Sequence, residues 1–138
     1  MGKPILCLDF DGVIHSYGSG WKGADVIPDA PVDGAMGFLV GALDHFDVQI
    51  FSSRSHQAGG REAMRTYLLE HLTAHMVASS AESNEHTCRV AANAVLEMIG
   101  FPTVKPPAMV SIDDRALTFT GEWPAIETLK AFKPWNKR

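Results

Sequence analysis

Hydrophobic and polar positions along this chain switch between two periods. Residues 5–8 form an apolar run of strand length that ends abruptly in Asp9, Phe10, Asp11 and Gly12, and a near-continuous run of this kind marks a strand buried on both faces. Residues 15–33 then break the pattern with Gly, Ser, Asp and Pro around Tyr17, Trp21 and Lys22, predicting a loop too long to be idle. Over residues 35–46, Met36, Leu39, Val40, Leu43 and Phe46 return at three- and four-residue steps, the spacing of one amphipathic helix. Residues 47–51 read as a second strand, closed by Ser52, Ser53, Arg54 and Ser55. A second helical stripe of Ala63, Met64, Tyr67, Leu68 and Leu72 covers about residues 58–75, its start blurred by Gly59 and Gly60, and residues 76–80 are ambiguous. A third helix is predicted over 83–99, with Ser83 as N-cap and Gly100 at its end. The remainder reads as a short strand at 103–104, a stop at Lys105-Pro106-Pro107, a strand over 109–112 closed by Asp113, Asp114 and Arg115, a short strand at 117–120 and a helix over 124–132, with Trp135 placed to pin the tail.

Strands alternating with helices predict a mainly parallel sheet with right-handed crossovers, an α/β protein of the three-layer α/β/α, Rossmann-like kind. At 138 residues the chain is expected to be one domain, residues 1–138. Its composition, 46% hydrophobic and 20% charged, excludes disordered, collagenous and disulfide-scaffold classes. The two cysteines, Cys7 and Cys88, are read as reduced, Cys7 as a small hydrophobe within the first strand. Neither a leader pattern nor an apolar run of membrane-spanning length is present in the sequence, which makes a cytoplasmic protein the expectation. A net charge of -4 argues against a nucleic-acid binder that works by bulk electrostatics, while leaving a local patch open around Arg54, Arg61, Arg65 and the terminal Lys130, Lys133, Lys137 and Arg138.

Chemistry in open α/β sheets gathers outside the carboxyl ends of the strands. Asp9 and Asp11 stand there, and residues two apart on an extended chain point the same way. Ser52, Lys105 and the pair Asp113 and Asp114 stand at or beside later strand ends. The order Asp9-Phe10-Asp11-Gly12-Val13, Ile50-Phe51-Ser52, Lys105-Pro106 and Ser111-Ile112-Asp113-Asp114 resembles the four motifs of the haloacid dehalogenase-like phosphohydrolases, over residues 5 to about 119.

That resemblance implies a magnesium-dependent phosphatase acting on a phosphate monoester through an aspartyl-phosphate. Asp9 is then the nucleophile and Asp11 the group that protonates the leaving oxygen and later activates water. Magnesium, which prefers oxygen ligands and retained waters, would be held by Asp9, the main-chain carbonyl of Asp11 and one of the closing acids. Asp114 is preferred as direct ligand, with Asp113 a ligand through water or an orienting neighbour. Ser52, with Ser53 as its rival, would bond a phosphoryl oxygen, and Lys105 would neutralise transition-state charge and tether Asp9. For either serine the competing reading is a turn former or helix N-cap. Arg54 could grip a second phosphate, or be plain surface. His15, Trp21 and Lys22 lie where the family places its mobile flap. The chain has no room for a substantial cap domain, so an open site is expected, one suited to a nucleotide, a nucleic-acid end or another macromolecular phosphate of unknown identity. The alternatives are a receiver-like phosphoacceptor domain, which predicts a different motif order, and an inactive binding protein on the same scaffold.

Overall fold

The apolar run at the N-terminus forms β1 (Ile5–Leu8), the central strand of a three-stranded, all-parallel sheet ordered β2-β1-β3. It pairs on one side with β2 (Asp47–Ile50), in register Leu8 to Ile50, and on the other with β3 (Val110–Ile112), in register Leu8 to Ile112. The structure is a computed structural model and describes residues 2–80 and 84–137. Its helices are α1 (Ala35–Ala42), α2 (Gly60–Ser79), α3 (Glu85–Glu97) and the short α4 (Ile126–Lys130), with a 3-10 turn at Trp135–Lys137. Among the described residues no helix is long and apolar enough to cross a membrane.

Period-two alternation decides which sheet face receives the helices. Leu6 and Leu8 of β1 and Val48 and Ile50 of β2 enter one buried cluster with Leu39 of α1, Met64, Leu68 and Leu72 of α2, and Ala92 and Leu96 of α3. Between them, Gln49 is half-buried and Cys7, though buried, lies outside that cluster. Three helices therefore serve one face of the sheet.

Several predicted boundaries move, each for a local reason. Helix α1 stops at Ala42, yet Phe46 still packs on the core through a turn in which its amide donates to the Ala42 carbonyl. Residues 76–79 continue α2. Asn84 caps α3, its side chain accepting from the Thr87 amide at 2.8 Å, and the predicted cap Ser83 lies outside the described residues. The predicted strand at 103–104 is absent. The chain instead makes a single parallel bridge at Gly100, whose N–H and C=O bond Val48 and Ile50, and Thr103 and Val104 are exposed with nothing to bury. Residues 117–120 likewise form no strand.

Candidate functional site

Because β1 and β3 run parallel and in register at Leu8 and Ile112, the residues that follow them meet at one sheet edge. The Asp9 amide donates to the Ile112 carbonyl at 3.0 Å, locking the two strand ends together. One carboxylate oxygen from each of Asp9, Asp113 and Asp114 lies within 4.8 Å of the others. The two closing acids differ in surroundings. Asp113 is exposed and its Oδ1 accepts from the Arg115 amide at 2.8 Å, whereas Asp114 is half-buried and its Oδ1 has no hydrogen-bond partner. Burial, a hydrogen bond with Asp114 and the charge of Asp113 together push the Asp9 carboxyl up to about 8. An orphaned buried oxygen beside two further carboxylates is a hard, oxygen-only donor set, and it fits a magnesium ion.

Gly12 makes this approach possible. Its φ is 82°, in the left-handed region, and a Cβ there would collide with Oδ2 of Asp114. Gly12→Ala is therefore expected to displace Asp114 and to reduce the rise in melting temperature produced by magnesium at least twofold, read by thermal denaturation with and without the ion. An unchanged rise would show that Asp114 takes no part in holding it.

Asp11 lies in a different environment. The Arg54 guanidinium straddles its carboxylate, Nε donating to Oδ2 at 3.0 Å and Nη2 to Oδ1 at 3.1 Å. From the other side His15 Nδ1 lies 2.9 Å from Oδ1. The Asp29 amide donates to His15 Nε2 at 3.1 Å, so that nitrogen is the acceptor and the ring proton sits on Nδ1, where it donates to Asp11. Although burial opposes ionisation, the bonds from His15 and Arg54 hold the Asp11 carboxyl below the usual carboxylate range.

Arg54 is the most deeply committed side chain of the site. It is 0% exposed, and its remaining nitrogen, Nη1, donates to the carbonyls of Gly23 and Ala24 at 2.8 Å and of Val26 at 3.2 Å. Trp21 covers the guanidinium at 4.7 Å from its ring centroid. One cation thus ties the long loop after β1 to the Asp11 carboxylate. A phosphate contact by Arg54 would require these bonds to be given up. The loop is fastened again where the Tyr67 hydroxyl donates to the Asp29 carbonyl at 3.0 Å.

Ser52 is buried, and its Oγ accepts from the Arg54 amide at 3.2 Å while its own amide donates to Ser55 Oγ at 2.9 Å. That geometry is a turn, with the Ser52 hydroxyl proton still available to donate. Ser53 is exposed, and its carbonyl accepts from Gln57 Nε2. Lys105 is exposed ahead of β3 and forms no ion pair with an acid among the described residues, so the expected tether to Asp9 is not made here, though its charge acts on Cys7. The structure thus gathers Asp9, Asp113 and Asp114 in one group and Asp11 with Arg54 in a second, and leaves Ser53 and Lys105 at the surface.

One contributor was harder to see in the sequence, and the tail pinned by Trp135 is found as expected. His15, assigned to the loop, stands wholly buried beneath it, and its only local signal is the four-residue step from Asp11. The tail returns to the site, where Trp135 Nε1 donates to the Gly12 carbonyl at 2.7 Å and Asn136 Nδ2 to the Ser16 carbonyl at 3.2 Å. Comparison of the chain with family models, curated proteins and solved structures finds no match in any of the three.

Proposed function

We propose that this chain is a magnesium-dependent phosphohydrolase that cleaves a phosphate monoester through an aspartyl-phosphate on Asp9. The observation that carries the reading is the convergence of Asp9, Asp113 and Asp114 at the ends of adjacent parallel strands, with one Asp114 oxygen unpartnered. The order of motifs, which resembles that of haloacid dehalogenase-like phosphohydrolases, supports it. With that family goes a three-layer sandwich, whose other layer would lie on the face carrying Cys7, Gln49 and Ser111. Asp9, Asp114, the Asp11 carbonyl and, through water, Asp113 would hold the ion. When bound, magnesium offsets the repulsion between carboxylate and phosphate and polarises the phosphoryl group.

In the first half-reaction an Asp9 oxygen forms a bond to phosphorus as the bond to the leaving oxygen breaks. In the second, water attacks phosphorus, the Asp9–phosphorus linkage opens, and Asp11 takes the proton that water loses. The ionised state that Arg54 and His15 impose on Asp11 suits this second step. To protonate a poor leaving group, Asp11 must first gain a proton as substrate enters. Ser52 would donate to a phosphoryl oxygen, with Ser53 the less buried rival, and Lys105 would neutralise transition-state charge once its loop brings it to the phosphate. The substrate class is an accessible phosphate monoester, such as a nucleotide, a nucleic-acid end or a phosphorylated macromolecule, in keeping with the open site expected where there is no room for a substantial cap.

p-Nitrophenyl phosphate separates the two halves, since its leaving group needs little protonation. With magnesium, Asp11→Asn is expected to release a burst approaching a single equivalent of nitrophenolate, then turn over about 10²- to 10⁴-fold more slowly than the wild type. Steady turnover at the wild-type rate in this variant would remove Asp11 from the chemistry, and no magnesium-dependent release by the wild type would sink the reading.

A further inference from the structure

The folded surface is too large for the mass of the chain. A compact monomer of 15.0 kDa is expected to expose about 7,000 Å², whereas this one exposes 8520 Å². The surplus of about 1,500 Å² compares with the roughly 800 Å² that each partner contributes to a standard interface.

Exposed large hydrophobic side chains concentrate from Val104 onward. Beyond β2 the sheet is closed by the Gly100 bridge, but among the described residues no strand pairs the outer edge of β3, whose residues are all exposed. Next in sequence, Leu117, Phe119, Trp123, Ile126, Leu129 and Phe132 line an apolar hollow of about 1220 Å³. Trp123 is 87% exposed, with Phe119 packed against it at 4.9 Å between ring centroids, and α4 buries no residue. Soluble monomers rarely show a contiguous apolar patch above a few hundred Å², and an open strand edge is a template for pairing.

We infer that this face is where a second copy of the chain docks, β3 meeting its mate antiparallel across a two-fold axis to make one continuous six-stranded sheet. Two features favour a like partner over an unlike one. A strand edge brought against itself by a two-fold axis is self-complementary. The charged residues along the same segment are of both signs, Arg115 and Glu122 beside the internal Glu127–Lys130 pair, so a rotated copy brings no block of like charge against itself. The surplus area covers what one partner of a stable pair must bury.

The test is the mass of the full chain in solution, which does not depend on any catalytic activity. Sedimentation equilibrium at about 100 µM chain is expected to give twice the 15.0 kDa chain mass. Trp123→Ser, at a side chain that is exposed apart from its contact with Phe119, is expected to weaken the pair about 10-fold or more, as is Val110→Lys on the strand edge, with unchanged circular dichroism in both. A wild-type monomer at that concentration overturns the inference and leaves the face to a different protein. A dimer unaffected by either variant overturns the location, and open-ended assembly overturns the two-fold arrangement.

Discussion

Arg54→Gln is expected to lower the melting temperature by about 10 to 15 °C. Removing one partner of a buried ion pair costs about 3 to 5 kcal/mol, because the remaining charge is left uncompensated, and for a chain of this size each kcal/mol moves the midpoint by about 3 °C. The remaining charge is Asp11, whose carboxylate would keep only the His15 bond. The carbonyls of Gly23, Ala24 and Val26 would lose their shared donor at the same moment, and an unmet buried acceptor adds to the cost. A glutamine is too short and has too few donors to serve both groups. Arg54→Lys keeps the charge without the planar fork and should fall between the two. Exposed arginines, by contrast, change stability by no more than about 0.5 kcal/mol when replaced, so a shift under about 2 °C, measured by circular dichroism, would show that the guanidinium lies in solvent and does not hold the loop to Asp11.

Arg54 also marks where sequence reasoning reaches its limit. A Ser-Ser-Arg-Ser run after a strand has the composition of a surface turn, and nothing local distinguishes an arginine that points out from one that points in. Its direction is set by carbonyls some 30 residues earlier, on a loop with no periodicity of its own. The acid trio lies at the other extreme. An apolar run ending in Asp9 and another ending in Asp113 and Asp114 are legible as strands, and parallel pairing alone brings their ends together. The middle helices were legible for the same reason, since Met64, Leu68 and Leu72 keep a stripe that burial then satisfies. The predicted strands at 103–104 and 117–120 were not there. Val104 and Phe119 have strand-forming side chains, but among the described residues no neighbouring strand or helix buries them, and propensity without a surface to pack on fixes no element. Lys105 is a similar case. Its place ahead of the Pro-Pro pair is a sequence fact, whereas its reach depends on a loop exposed along most of its length.

Asp9→Asn is expected to yield a protein that is inactive and, at neutral pH without magnesium, more stable than the wild type. Loss of a nucleophile removes about 10⁴-fold or more of turnover, read as phosphate release. The gain in stability follows from the same carboxylate. Its pKa rises from about 3.9 in the unfolded chain to about 8 in the fold, so the folded state binds the proton more tightly. The stabilisation this provides is fully present below the unfolded value and is lost as pH rises through about 8. Asp11 has the opposite sign, because its folded pKa is depressed, so its contribution is present above the unfolded value and is lost as pH falls through the folded one. The metal-free wild type should therefore become more stable as pH is lowered from about 9 to about 5, and lose stability again below about 4. In Asp9→Asn the upper slope disappears, since an amide does not titrate, and its NH₂ can donate to the orphaned Oδ1 of Asp114. Magnesium should flatten the same slope in the wild type by favouring the anion. Melting temperatures across that range, with and without the ion, check the prediction. An upper slope that persists in Asp9→Asn would place its origin in another group, and activity retained by the variant would remove Asp9 as the nucleophile. The burial and the neighbouring acids that make Asp9 costly to ionise in the resting fold also make the ion necessary, so the variant's added stability and its lost turnover both follow from removing one carboxylate.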